Sequence, residues 1–265
     1  MVGGETGTLI MTTEPRTYVI TGAASGIGEA TRILLEAQGH KVIGSDLQNA
    51  QVIADLSTVA GRASLVEQVT AVSDGKIDAV LAVAGVDIAG PPTAAINFYG
   101  AVATLEGLRP LLAKSKAPRA VAISSIVSVH PFDQALLDAL LDGTEEQALA
   151  RAAEAPYVYA TSKRALTRWI RRRATTAVWA GAGIPLNAMA PGLVKTALLK
   201  RLFEDPETEK RIKAGSPMPL GGPYEPRAAA QAIAWLASEE NGHMTGQTIF
   251  VDGGAEVMMR GDASW

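Results

Sequence analysis

Tyr159 and Lys163 frame the run Tyr159-Ala-Thr-Ser-Lys163, a phenol and an ammonium four residues apart. On a helix that spacing puts both groups on one face. A phenol ionises near pH ~10, too high for a base at neutral pH, and a neighbouring cation lowers that value. The pair could therefore move a proton to or from an oxygen. Upstream, Thr21-Gly-Ala-Ala-Ser-Gly-Ile-Gly28 is a glycine-rich turn of the kind that cradles a pyrophosphate on backbone N–H groups. Gly22 can turn sharply, Gly26 lets backbone approach phosphate, and Gly28 permits close helix–strand contact. Together the motifs point to hydride transfer from a bound dinucleotide, with Tyr159 handling the proton. Tyr157 is a rival phenol, but six residues from Lys163 it points elsewhere on the helix.

Such groups need a scaffold that brings them together. Thr17 to Thr21 reads as a strand feeding the glycine turn, Gly28 to Gln38 as a helix closed by Gly39, and Lys41 to Asp46 as a second strand. The alternation continues through strands at Gln51 to Ala54, Ile77 to Ala84, Ala120 to Ser124, Pro185 to Ala190 and Gln247 to Val251. Helices are expected at Thr58 to Val72, Thr93 to Ala113, around Tyr159, and near Pro226 to Ser238. The strands are apolar throughout, as strands buried on both faces must be. The expected fold is α/β, a doubly wound parallel sheet of Rossmann type, in a single domain over 16–265 with a flexible tail at 1–15.

Asp46 ends the second strand 24 residues after Gly22. An acid there can accept hydrogen bonds from adenosine ribose hydroxyls and repel a 2′-phosphate, which favours NAD over NADP. It could also simply cap a surface turn. Asp55-Leu56 could hold the adenine through a side-chain acceptor and an apolar wall.

Bulk properties exclude other chemistries. With 265 residues, 48% hydrophobic, the chain can bury a sizeable core. A formal net charge of −3 gives no electrostatic case for nucleic acid or an anionic membrane, and the basic run Arg168 to Arg173 reads as a solvated helix face. There is no cysteine, and His40, His130 and His243 lack ligand spacing, so no metal site is expected. No secretory signal or membrane span is evident, and a cytoplasmic protein is expected.

With these residues in order, the chain resembles the short-chain dehydrogenase/reductase family over about 16–260. Carrying the likeness are the glycine turn, Tyr159-x-x-x-Lys163, Ile123-Ser124-Ser125, Asn97, Pro191-Gly192 with Thr196, and Val251-Asp252-Gly253-Gly254. The family's Asn-Asn-Ala-Gly is here Ala82-Val83-Ala84-Gly85, which keeps the Ala-Gly and loses the supporting amides. Within the family the chain resembles the bacterial 3α-hydroxysteroid dehydrogenase/carbonyl reductase branch. That likeness rests on Val52 to Ser57, Ile123 to His130, the segment after it, and Val251 to Arg260.

The resemblance implies roles. Tyr159 is the general acid/base, Ser125 holds the substrate oxygen, Lys163 also grips the nicotinamide ribose, and Asn97 anchors a water that links Lys163 to solvent. Ser124 is structural. Cofactor contacts fall to Gly22, Ser25, Gly26, Ile27, Gly28, Asp46, Leu47, Asp55, Leu56, Ala84 and Gly85. Pro191, Gly192, Val194 and Thr196 sit at the nicotinamide end, although Pro-Gly could be an ordinary β-turn.

Ser125 and Tyr159 are 34 positions apart, where most relatives need roughly a dozen. The extra segment, about 131–156, offers an amphipathic stretch with Ala135, Leu136, Leu140 and Leu141, a break at Gly143, and a capping box at Thr144 to Gln147. It could be a lid, a substrate wall, a subunit contact, or a patch that packs on its own domain. The resemblance implies a homo-oligomer, dimer or tetramer. Leu198 to Pro223 should cover the substrate, with Pro217 to Leu220, Met258 and Met259 as adaptable apolar surface. A bulky alicyclic small molecule with one reacting oxygen, such as a steroid or terpenoid alcohol, fits that surface. The rival readings are a non-catalytic NAD sensor, a reductase of another carbonyl class, and a nucleotide-sugar epimerase.

Overall fold

The computed structural model describes residues 14–262. Most of the expected N-terminal tail lies outside that range. Seven strands form one parallel sheet: β1 (Thr17–Thr21), β2 (Lys41–Asp46), β3 (Val52–Ile53), β4 (Ala79–Ala82), β5 (Arg119–Ile123), β6 (Leu186–Pro191) and β7 (Thr248–Val251). Their spatial order is β3-β2-β1-β4-β5-β6-β7, a single Rossmann-type domain. The order reverses between β1 and β4, which pair from Tyr18↔Ala79 to Thr21↔Ala82. A crevice opens at such a reversal, beyond the carboxyl ends of the strands.

Alternation along each strand builds two cores. Val19, Val80, Ala82, Ala120 and Ala122 face α2 (Val59–Val72), α4 (Ala101–Leu112) and α7 (Val158–Ala174). Tyr18, Ile20, Leu81, Val121, Ile123 and Met189 face α1 (Gly26–Ala37) and α10 (Pro226–Leu236). Both faces being covered is why these strands carry no polar alternation.

The helix expected at Thr93 to Ala113 is not uniform. A short α3 (Pro91–Ala94) leads into a π-helical stretch, Ala95–Gly100, before α4 begins. The wider turn coincides with Asn97, whose amide is tied to the backbone of Val86.

Between Ser125 and Tyr159 the chain forms α5 (Gln134–Asp142) and α6 (Glu145–Ala152), the latter opened by the Thr144/Gln147 capping box. Leu136, Leu137 and Leu140 are buried in the α2/α4/α7 core and Leu141 packs against it, whereas Ala135 is exposed, so the expected stripe holds at Leu136, Leu140 and Leu141 and takes in Leu137 instead of Ala135. Asp133 caps α5 and pairs with Arg151 of α6 at 2.5 Å, and its backbone N–H donates to Thr161 of α7 at 3.0 Å. Glu145 pairs with the buried Arg62 of α2 at 2.6 Å. The segment thus packs on its own domain. Beyond β6, three helices stand where the sequence reading left irregular chain: α8 (Ala197–Leu202), α9 (Pro206–Gly215) and α11 (Ala255–Arg260).

We expect Leu137→Ala to destabilise the protein by about 2–5 kcal/mol, because the side chain is wholly buried and its neighbours are held by ion pairs. Urea unfolding measures this, and a loss below about 1 kcal/mol would mean the segment docks loosely.

Candidate active site

The glycine turn has the geometry its residues suggest. Gly22 and Gly26 adopt φ of 71° and 57°, a region L side chains rarely enter. A Cβ on Gly28 would lie 2.0 Å from the Gly22 carbonyl oxygen, so α1 can start this close to β1 only without a side chain. Asp46 steadies the turn: its carboxylate accepts from the N–H groups of Ala24 at 3.0 Å and Leu47 at 2.7 Å. The amides missing after β4 are replaced from the neighbouring strand. Thr21 Oγ1 accepts from the N–H groups of Val83 at 3.1 Å and Ala84 at 3.2 Å.

Two cavities meet at this turn and share Gly22, Ser25, Ala84 and Gly85. The smaller, about 200 Å³, is lined further by Asp46, Leu47, Asp55 and Leu56. Asp55 is partly engaged, accepting from the N–H and hydroxyl of Ser57, and those bonds hold its carboxyl below the usual range. The larger, about 510 Å³, takes in Gly26, Ile27 and Gly28, then Ser125, Tyr159 and Lys163, and reaches Pro191, Gly192, Val194 and Thr196. The site residues expected from the sequence therefore line one bent cleft, except Asn97.

Ser125 leaves β5 and caps the 3₁₀ turn Ile126–Val129, its Oγ accepting from Val127 N–H at 3.4 Å. Tyr159 sits in the first turn of α7 and lines the same cavity as Ser125, whose nearby hydroxyl favours the phenolate. Lys163, one turn on, is 2% exposed and donates to the Ile123 carbonyl at 2.9 Å. Ser124 is structural, its hydroxyl bonding Thr167 at 2.8 Å and the Lys163 carbonyl at 3.3 Å. Asn97 is fully buried behind the cleft, with its amide on Val86 N–H and C=O at 2.9 Å each and on Ser162 at 3.3 Å. It clamps the loop after β4 and the helix carrying Lys163.

The electrostatics differ from the expectation that Lys163 makes the phenol acidic. Tyr159 is pushed up to about 12, by burial first, with the Ser125 hydroxyl lowering it and the Asp87 charge raising it. Lys163 is itself pushed down to about 8 by burial. Its Nζ lies 6.0 Å from the Tyr159 ring centre and is committed to a carbonyl, so desolvation wins among the protein groups.

The segment Leu198 to Pro223 lines the cavity as expected, and Leu193, Asp87 and His130 join the wall from outside it. Leu193, Leu198, Leu202 and Ile212 line the larger cavity, carried partly by α8 and α9. Met218, Leu220, Met258 and Met259 do not: Met218 packs on Gly192 and Gly253, and Leu220 is 87% exposed. The helices had readable signals, a Thr196 cap for α8 and Asp205-Pro206 opening α9. Three polar groups on the wall had none. Asp87 follows the Ala84-Gly85 turn, and His130 stands 3.4 Å from Ser216. Burial holds His130 below the usual histidine value.

Gly28→Ala should cost roughly 1–3 kcal/mol, read as a lower unfolding temperature, because its methyl meets a backbone oxygen that cannot rotate away. The depressed Lys163 value has a definite sign. Between about 8 and 10.5 the unfolded chain holds that proton and the folded protein does not. Wild type should therefore gain stability relative to Lys163→Met as pH rises through that window, and lose the gain as pH falls. Urea midpoints that run parallel for the two proteins would contradict the burial of this lysine.

The comparisons agree with this geometry. A family model described as enoyl-(acyl carrier protein) reductase matches residues 145–256. The 3-alpha-hydroxysteroid dehydrogenase/carbonyl reductase of Comamonas testosteroni is 38% identical, over 91% of this chain and 97% of its own. The crystal structure of the 3-alpha-hydroxysteroid dehydrogenase from Pseudomonas sp. B-0831, complexed with NADH, superposes with a TM-score of 0.87 at 37% identity, covering 93% of this chain and 99% of that one. A candidate NAD(P)-dependent gluconate 5-dehydrogenase from Beutenbergia cavernae, with bound NADP, gives 0.72 at 25% identity, covering 92% and 98%. The chain belongs to the short-chain dehydrogenase/reductase family, and it is an oxidoreductase related to the hydroxysteroid dehydrogenases.

Proposed function

We propose that this oxidoreductase interconverts a secondary alcohol and a ketone on an apolar, alicyclic substrate, such as a steroid or terpenoid alcohol, with NAD(H) as cofactor. The observation that carries the reading is the single cleft that joins the glycine turn to Ser125, Tyr159 and Lys163 and ends in a mostly apolar wall. The residues fit a dinucleotide. Glycines at positive φ open the turn, the amino end of α1 faces the cleft, and the smaller cavity offers an acid beside an apolar wall. Asp46 supports NAD over NADP, since its charge would repel a 2′-phosphate. The NADH and NADP bound in related proteins leave both cofactors open on likeness alone.

Bound there, the nicotinamide would supply or accept the hydride. Ser125 and Tyr159, which line the same cavity, would hold the reacting oxygen between their hydroxyls. Tyr159 would give its proton to that oxygen during ketone reduction and take it back during alcohol oxidation. A phenol near 12 stays protonated at neutral pH, ready as the acid. Lys163, near 8, can be charged or neutral close to neutral pH and could pass protons beneath the phenol. Asn97 positions this assembly from behind.

Steady-state rates with NAD or NADH and a panel of cyclic alcohols and ketones test the reading. Tyr159→Phe should bind nucleotide normally and lose about 10²- to 10⁴-fold in kcat. Equal turnover by the variant would end its assigned role, and nucleotide binding without turnover of any alcohol or ketone would favour a sensor. Asp46→Ala should shift the NAD/NADP preference toward NADP, and an unchanged preference would remove the basis for naming NAD. The oxidation rate should climb with pH on the alkaline side, where the phenol must lose its proton, whereas reduction should not.

A further inference from the structure

Asp87 is the acidic group on the cavity wall that the mechanism does not use, and the cation Arg211 lines the same cavity. It lies two residues past Gly85, on the loop that Thr21 and Asn97 hold in place through Val83, Ala84 and Val86. Its backbone carbonyl accepts from Arg201 of α8 at 3.0 Å, which fixes the loop from the other side. Its carboxylate accepts no hydrogen bond among the described residues, and Arg201 acts on it as a charge. Burial holds that carboxyl above the usual range, and its field reaches Tyr159. Around it the wall is Val127, Leu193, Leu198 and Leu202, and the polar pair His130 and Ser216 is already matched to itself.

A half-buried carboxylate without a protein donor loses its water when a molecule fills the cavity, and a donor on that molecule would offset the loss. Asp87 shares the cavity with Tyr159, and Gly85, two residues before it, sits against Lys163 Nζ, so the donor belongs on the substrate close to the carbon that bears the reacting oxygen. We propose that Asp87 is a specificity-determining residue whose carboxylate accepts a hydrogen bond from a donor substituent, hydroxyl or ammonium, next to the reacting carbon of the substrate. The proposal rests on the alcohol/ketone reading above and narrows its substrates from plain alicyclic alcohols to those with a vicinal donor. Arg201 keeps the loop in register and offsets part of the negative charge, so a neutral donor is accepted as well as a cationic one.

The test compares kcat/KM for borneol, bornane-2,3-diol and 3-aminoborneol with NAD at pH 8, using wild type, Asp87→Asn and Asp87→Leu. Wild type should favour at least one donor-bearing alcohol over borneol by about tenfold or more, the scale of a hydrogen bond to a charged group. Asp87→Leu should bring that ratio close to one. Asp87→Asn, which retains an acceptor without charge, should keep an advantage carried by hydroxyl and lose one carried by ammonium. It also serves if the leucine variant does not fold, which NADH binding checks. If an alcohol binds without turning over, the same ratios are read as dissociation constants from bound NADH fluorescence. Turnover in wild type with no donor preference, or with a preference that both variants leave unaltered, overturns the role of Asp87 alone. Wild type that neither turns over nor binds any of the three overturns it together with the proposed function.

Discussion

Side chains that hydrogen-bond to backbone at the carboxyl edge of the sheet hold this cleft in shape. Strands end there, and their last N–H and C=O groups no longer have ladder partners. Thr21 takes two of these N–H groups beyond β4, Asn97 takes both backbone groups of Val86, and Lys163 takes the carbonyl of Ile123. Each bond spans two elements, so β1, β4, β5 and α7 meet the cleft in one fixed relation. The same bonds replace the family's asparagine amides, which explains how Ala82 and Val83 are tolerated.

Burying these groups sets their chemistry. Tyr159 and Lys163 are both drawn toward their neutral forms, the phenol upward and the ammonium downward, because low polarity penalises either charge. Their ordinary values, 10.0 and 10.5, are thereby pushed apart, to about 12 for the phenol and about 8 for the ammonium. A site built this way holds a proton on the phenol and keeps a lysine that exchanges one readily beneath it. Asp87 adds to the first effect, since its negative charge disfavours a phenolate nearby. The neutral phenol is thus the favoured form in this cleft.

Much of the fold was legible because its signals are local. Apolar runs a few residues long, separated by helical periodicity, gave all seven strands, although β3 shrank to Val52–Ile53 and β4 to Ala79–Ala82. Those ends frayed because β3 has a neighbour on one side only and because the chain leaves β4 to follow the cleft. The capping box at Thr144 was readable for the same reason, all its partners lying within four residues. The stripe of α5 was read correctly at Leu136, Leu140 and Leu141, and only packing decides that Leu137 rather than Ala135 completes it. The π-helical stretch at Asn97 left no mark, because it answers to Val86, eleven residues away and on another element.

By itself the sequence determined the parallel α/β sheet, the glycine turn and the Tyr159/Lys163 pair, because spacing along the chain records turns, helix faces and strand ends, whereas Ser125 and Asn97 were singled out by the family resemblance. Tertiary structure alone decided what surrounds them. It kept the methionines off the wall, put Asp87 in the same cavity as a phenol 72 positions later in the chain, and set both ionisations by burial. These outcomes depend on which groups are shielded from water and which distant residues face each other. No residue's type or spacing carries that information until the chain is packed.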